Sequence, residues 1–193
     1  MNIANKLTTF RLLLIPVFIG VIFAWPNSGS IFFIDIELPV NHFIAAIIFA
    51  IASSTDYLDG YLARRYNLVT SFGEFFDPMA DKLLVMAALI TLVSLSVIPA
   101  WITIIILSRE LLVTGLRVLL AQYDGKVMAA ALPGKIKTFT QMFAIIFFLL
   151  SDAGFNWLPF SLAQVLLYLC LFFTVYSGID YFYHGRFVFQ KHD

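Results

Sequence analysis

Charged side chains are scarce in this sequence: Asp, Glu, Lys and Arg make up 12% of 193 residues, where a soluble domain carries about 25%. That shortage excludes an ordinary water-soluble domain. A disordered chain is excluded as well, since disorder needs few apolar residues and high net charge. Cysteine is almost missing. Cys170 is the one example, so the disulfide framework of a small secreted module cannot form. Neither sign of charge is in excess, because 12 Lys and Arg face 12 Asp and Glu. A whole-chain basic field is therefore absent, and no nucleic-acid partner is expected. What is abundant is apolar surface, with 61% hydrophobic residues, 21 Phe among them, and a mean hydropathy of +0.92. This is the composition of a polytopic membrane protein.

Runs without charge mark the candidate spans, because about 20 apolar residues cross the hydrocarbon. The long apolar stretch from Leu83 is broken at Pro99, which predicts two helices joined by a tight turn near Val97, Ile98 and Pro99. Six spans result, at about 8–25, 38–60, 78–97, 99–121, 135–151 and 158–182. The expected fold class is all-α: an integral membrane protein with six transmembrane helices. With no repeat and no long linker, residues 1–193 read as a single membrane domain. Cations choose the orientation. The turns at Pro26–Pro39, around Pro99 and at Asp152–Phe160 hold no Lys or Arg, whereas Lys6, Arg11, Arg64, Arg65, Lys82, Lys126, Lys135, Lys137, Arg186 and Lys191 lie at the termini and the other loops. Both termini are expected on the cytoplasmic side of the cell membrane. A cleaved signal peptide is the competing reading of the first 30 residues, but Ala24-Trp25-Pro26 is a poor small-residue cleavage site.

Most of the acids suit wet turns, chain ends or a neighbouring cation. Four do not. Asp56 and Asp59 lie three apart at the end of the second span, and Asp77 and Asp81 lie four apart at the start of the third. On helices these spacings put each pair on one face. Four carboxylates converging at a membrane boundary repel one another and lose hydration, so they need bound cations or protons. Oxygen ligands without His or Cys nearby favour hard divalent ions over zinc. Two such ions would clamp a phosphoryl group between attacking and leaving oxygens. Gly60 and Ala63 leave room for a flat ligand, and Arg64 offers a planar fork to phosphate. For a single Asp, pairing with Arg64, Arg65 or Lys82 would be the plainer account; four at these spacings weigh against it. A cation transporter would carry its acids near the midplane of several spans instead.

The pattern D-x₂-D-G-x₂-A-R-x₈-G-x₃-D-x₃-D is filled by Asp56, Asp59, Gly60, Ala63, Arg64, Gly73, Asp77 and Asp81. It resembles the signature of the CDP-alcohol phosphotransferase family at every fixed position. The resemblance implies a six-helix membrane enzyme, usually a homodimer, that moves a substituted phosphate from a CDP-linked alcohol to an acceptor hydroxyl and releases CMP. It also implies that Asp56, Asp59, Asp77 and Asp81 hold two divalent ions, Mg²⁺ or Mn²⁺. The resemblance further implies that Asp81 doubles as general base and that Gly60, Ala63, Arg64 and Gly73, with Asn5 and Thr8, bind the CDP-lipid.

Three further segments resemble bacterial members that take glycerol 3-phosphate as acceptor. The first is Asn2 to Arg11, with Ala4 where Pro is customary; the others are Ser108 to Arg117 and Gly134 to Gln141. Tyr176 to Phe182 is similar to the last span of those proteins. The substrates so implied are CDP-diacylglycerol and sn-glycerol 3-phosphate, in contact with membrane lipids. The residues support this acceptor on their own terms. Arg109 and Arg117 lie eight apart on one face of an apolar span, where a cation needs a partner or an anionic ligand. Arg117, Lys135 and Lys137 are candidates to grip the acceptor phosphate; Arg109 could join them or pair with Glu110 or Asp180. Inositol phosphate or phosphatidylglycerol is the alternative acceptor.

Overall fold

The computed structural model describes residues 3–34, 36–66, 71–124, 132–155 and 157–185, with side chains described over 8–34, 36–55, 79–120, 132–155 and 157–184. The chain is mostly helical. Six helices follow in order among the described residues: α1 (Ile3–Phe23), α2 (Val40–Tyr66), α3 (Ser71–Ser94), α4 (Ala100–Asp124), α5 (Leu132–Leu149) and α6 (Leu162–Gly185). One stretch of these, Leu162–His184, is by itself long and apolar enough to cross a membrane; Thr8–Phe23 and Val40–Thr55 are shorter apolar stretches.

Helix α1 packs on α2 and α3, α5 lies along α6 and against α2, and α4 leans on α6. The main core joins Phe18 and Ile22 of α1, Ala45, Ala46, Phe49 and Ala52 of α2, and Leu84, Ala88, Leu89 and Leu92 of α3. Ile98 before α4, Ile102 and Ile106 of α4, Ala144, Ile145 and Leu149 of α5, and Leu167 and Cys170 of α6 complete it. The alanines let helix axes approach closely, which matters where lipid supplies no hydrophobic drive for association. Cys170 is fully buried, so it is packed and not lipid-facing. Large apolar side chains also cover the outside, including Leu13, Ile104, Leu111, Phe172 and Ile179. Such a surface fits an apolar solvent and is an aggregation hazard in water.

Three threonine hydroxyls are satisfied within their own helices, whereas Ser53 Oγ and Thr103 Oγ1 are buried without a partner among the described residues. Thr174 donates to the Cys170 carbonyl at 2.6 Å, Thr140 to that of Ile136 at 2.9 Å, and Thr114 to that of Glu110 at 2.6 Å. This back-bonding removes the cost of a bare polar group inside an apolar bundle.

The structure corrects the all-helical sequence reading in one place. The Pro26–Pro39 connection holds a two-stranded antiparallel hairpin, β1 (Ser30–Phe33) and β2 (Ile36–Pro39), with Phe33 opposite Ile36 and Ser30 opposite Pro39. Its cause is the alternation of Ile31, Phe33, Ile36 and Leu38 on one face, a period of two that a hunt for apolar runs passes over. The third helix begins at Ser71, so Asp77 and Asp81 lie inside a continuous helix. The tight turn around Pro99 is present. The Val97 amide reaches back to the Leu92 carbonyl at 3.0 Å, and Ser96 takes a left-handed φ of 58°. At the start of α6, Asp152 accepts from Ser161 Oγ at 2.5 Å and the Ala163 amide at 2.8 Å, while the Gln164 amide donates to Ser161 Oγ at 3.2 Å. Ser161 is thus an N-cap, and Asp152 ties the preceding turn to it.

Candidate active site

Asp56 and Asp59 fall within α2, and Asp77 and Asp81 within α3. Each pair therefore shares a face of its own helix, and α2 and α3 are in contact. Of the signature residues, the side chain of Asp81 alone is described. Those of Asp56, Asp59, Gly60, Ala63, Arg64, Gly73 and Asp77 lie outside the described residues, as does that of Asn5. Thr8 is fully buried.

Asp81 opens onto a cavity of about 680 Å³ formed where α2, α3, α4 and α5 meet. Ser53 comes from α2, Asp81 and Lys82 from α3, Arg109, Glu110, Thr114 and Arg117 from α4, and Gly134, Lys135 and Thr138 from α5. Four cations and two carboxylates thus line one space. A smaller recess of about 30 Å³ continues from it between Asp81, Lys82, Glu110, Lys137 and Gln141. Such an excess of cations around a low-dielectric space makes an anion site.

Glu110 organises the inner wall. Its Oε1 accepts from Arg109 Nη1 at 3.0 Å and from Lys137 Nζ. Lys137 is only 4% exposed, so its ammonium is desolvated and depends on this carboxylate. Lys82 donates to Thr114 Oγ1, whose proton goes to the Glu110 carbonyl. Lys135, by contrast, is exposed at the cavity rim. Arg109 is shared between two helices, because its Nη2 donates to Ser177 Oγ of α6 at 2.7 Å. Asp180, the other partner considered for Arg109, instead meets His184 at 3.2 Å.

Arg117 is held differently. Its Nη2 donates to the Tyr181 hydroxyl, and its guanidinium carbon lies 4.9 Å from the centre of the Tyr181 ring. Among the described residues no carboxylate pairs with it, and its Nε is buried without an acceptor.

A family model for CDP-alcohol phosphatidyltransferases matches residues 1–176. The chain belongs to the CDP-alcohol phosphatidyltransferase family. A CDP-diacylglycerol–glycerol-3-phosphate 3-phosphatidyltransferase of Bacillus subtilis (strain 168) is 49% identical over 181 residues, which is 94% of this chain and 93% of the relative. The protein of that name from Rickettsia bellii (strain RML369-C) is 40% identical over 94% of this chain and 93% of its own length. A probable phosphatidylglycerophosphate synthase of Mycobacterium tuberculosis (strain ATCC 25618 / H37Rv) is 41% identical, with coverage of 93% and 79%.

Members of this family generally use divalent metal ions. The residue types fit one: the signature positions on α2 and α3, helices in contact, include four aspartates, hard oxygen donors, with no Cys or His among them. Sequence reasoning missed the residues of α6 that hold the two arginines, Ser177 and Tyr181, and the pairing of Glu110 with Lys137, while its pairing of Arg109 with Glu110 is present. A signal was available. Ser177 and Tyr181 are four apart, hence on one helical face, like the eight-residue spacing of the arginines they serve.

Proposed function

We propose that the protein transfers the phosphatidyl group of CDP-diacylglycerol to sn-glycerol 3-phosphate, giving phosphatidylglycerophosphate and CMP. The observation that carries this reading is the cavity in which Asp81 shares walls with Lys82, Arg109, Arg117 and Lys135. A phosphate dianion suits those cations, and a carboxylate beside them suits the removal of a proton from an acceptor hydroxyl. The relatives at 49% and 40% identity, covering nearly the whole chain, support the same donor and acceptor.

In this reading the phosphate of glycerol 3-phosphate lies among Arg117, Lys135, Lys137 and Arg109. Asp81 takes the proton as the hydroxyl oxygen attacks the lipid-linked phosphorus, and the bond to CMP breaks. Gly60, Ala63, Arg64 and Gly73, with Asn5 and Thr8, hold the CDP-lipid. Asp56, Asp59, Asp77 and Asp81 are the ligands for two divalent ions, Mg²⁺ or Mn²⁺. Such ions supply charge neutralisation for the pyrophosphate and lower the pKa of a bound hydroxyl. The single domain of residues 1–193 crosses the cell membrane six times, with both termini and the active site facing the cytoplasm, and works as a homodimer. The cation-free turns at Pro26–Pro39, Pro99 and Asp152–Phe160 support that orientation.

Phosphatidylglycerol as acceptor would bring no phosphomonoester for four cations to hold. The test is CMP release from CDP-diacylglycerol by the purified chain, with glycerol 3-phosphate, inositol phosphate, serine and phosphatidylglycerol offered separately. Release with glycerol 3-phosphate alone is the expected result. Preference for another acceptor would overturn the assignment, and divalent-ion uptake without any CMP release would overturn the enzyme reading.

A further inference from the structure

The face of α6 that meets α4 is shaped around two arginines rather than packed like the rest of the helix. Tyr181 is 1% exposed, yet its ring is flanked by charge, with the guanidinium carbon of Arg117 at 4.9 Å and that of Arg109 at 5.7 Å from its centre. Its hydroxyl accepts from Arg117 Nη2. One turn earlier, Ser177 Oγ accepts from Arg109 Nη2 at 2.7 Å and lies 2.5 Å from the Phe173 carbonyl, to which its own proton goes. This leaves its lone pairs facing the arginine. Between them Gly178 leaves a gap, since a Cβ there would come within 3.2 Å of Arg109 Cγ. A hydroxyl acceptor, a gap and an aromatic ring thus follow one another along the same face.

Both arginines also line the cavity, and the Nε atoms of both are buried without acceptors. Arg109 shares Glu110 with Lys137. Arg117 has no such carboxylate among the described residues; its contacts are the ring and hydroxyl of Tyr181. A ring face attracts a cation without neutralising it. Arg117 is therefore held in place with its charge still available to an anion.

We propose that Tyr181 is the positioning residue of the acceptor subsite. Its ring spaces Arg109 and Arg117, its hydroxyl aims Arg117, and Ser177 and Gly178 seat Arg109, so that the two guanidiniums receive the phosphate of the acceptor without first rearranging. This inference rests on glycerol 3-phosphate being the acceptor. Pre-organised donors lower the cost of binding, so loss of Tyr181 weakens capture of the acceptor while leaving the CDP-lipid site alone.

The full-length enzyme in mixed micelles with CDP-diacylglycerol tests this through the KM of each substrate. Tyr181→Phe keeps the ring and loses the hydroxyl. It is expected to raise the KM for glycerol 3-phosphate about tenfold, the worth of a hydrogen bond to a charged group, with the KM for CDP-diacylglycerol within about twofold of wild type. Tyr181→Leu removes the ring as well and is expected to raise it a further tenfold or so; if it fails to fold, Tyr181→Phe decides. Gly178→Ala crowds Arg109 alone and gives a smaller shift of the same selectivity. Wild-type KM values in Tyr181→Phe, or a parallel rise for both substrates, would overturn the positioning role. Absence of CMP release by the wild-type chain with glycerol 3-phosphate overturns the acceptor assignment first, and the Tyr181 inference with it.

Discussion

Between α1, α2 and α3 the interior is Phe18, Phe49, Leu84, Leu89 and Leu92 packed against Ala45, Ala46, Ala52 and Ala88. Between α4 and α6 it is a cluster of four, Val113, Leu116, Leu120 and Tyr181, set beside Arg109 and Arg117. The first region is held by dispersion among small and large apolar groups, the means available when lipid competes for the same surfaces. The second is held by directional contacts to charge: Ser177 and Tyr181 of α6 take the arginines, and Glu110 links Arg109 to Lys137 of α5. A seam of that kind is a poor way to gain stability, since desolvating ions costs about as much as pairing them returns. Its use is placement of cations around a cavity. One region keeps the helices together; the other fixes where the arginines stand.

The largest test of that division is at Asp81, on the cavity side of α3. Asp81→Asn keeps shape and volume, so the apolar core has no reason to loosen. Turnover is expected to fall by about 10²–10⁴, the usual worth of a general base, with thermal stability in detergent close to wild type. Chelation by EDTA should stop CMP release, and added Mg²⁺ or Mn²⁺ restore it. Undiminished turnover in either experiment would place the chemistry elsewhere.

Next comes Glu110, which belongs to the seam. Glu110→Gln leaves Lys137 and Arg109 without their counterion in a desolvated place. Breaking a buried pair from one side costs about 3–5 kcal/mol, and the acceptor KM should rise with it because both cations shift. Leu89→Ala in the apolar core is the matched control. Leu89 is 1% exposed, and a cavity of that kind costs about 2–5 kcal/mol in a water-soluble core; the lower end is expected here. The KM for either substrate should not change. If Leu89→Ala altered the acceptor KM as Glu110→Gln does, the two regions would not be separable.

How much of this was legible in the sequence follows the same division. The helices were legible because apolar runs and cation-free turns are one-dimensional signals that the bilayer imposes on any spanning chain. The acidic signature was legible because its spacings are local, three and four residues within one helix. The hairpin at Ser30–Pro39 was missed because its four-residue strands are shorter than any run sought. The seam was missed for a deeper reason. Arg109 meets Ser177 across 68 residues of chain, and Arg117 meets Tyr181 across 64. No period within α4 or α6 says which faces will meet, so Arg109 could be assigned equally to Glu110 or to Asp180. The helix crossing decides for Glu110 and Ser177, and leaves Asp180 to His184.

The smallest expected effect separates two lysines that sequence alone treats as equals. Lys135 and Lys137 are two residues apart at the start of α5, yet one is exposed at the cavity rim and the other is 4% exposed against Glu110. A solvent-exposed cation interacts weakly with an anion and is screened by salt. Lys135→Ala is therefore expected to raise the KM for glycerol 3-phosphate only about threefold at low ionic strength, and less at high salt, with no loss of stability. Lys137→Ala strands Glu110 beside Arg109 alone, so it should lower thermal stability measurably and its effect should persist in salt. KM measured for both variants at two ionic strengths distinguishes them. A salt-sensitive shift confined to Lys135→Ala would assign that lysine to drawing the acceptor in and Lys137 to the built wall; equal, salt-insensitive shifts would mean that the rim and the wall act as one site.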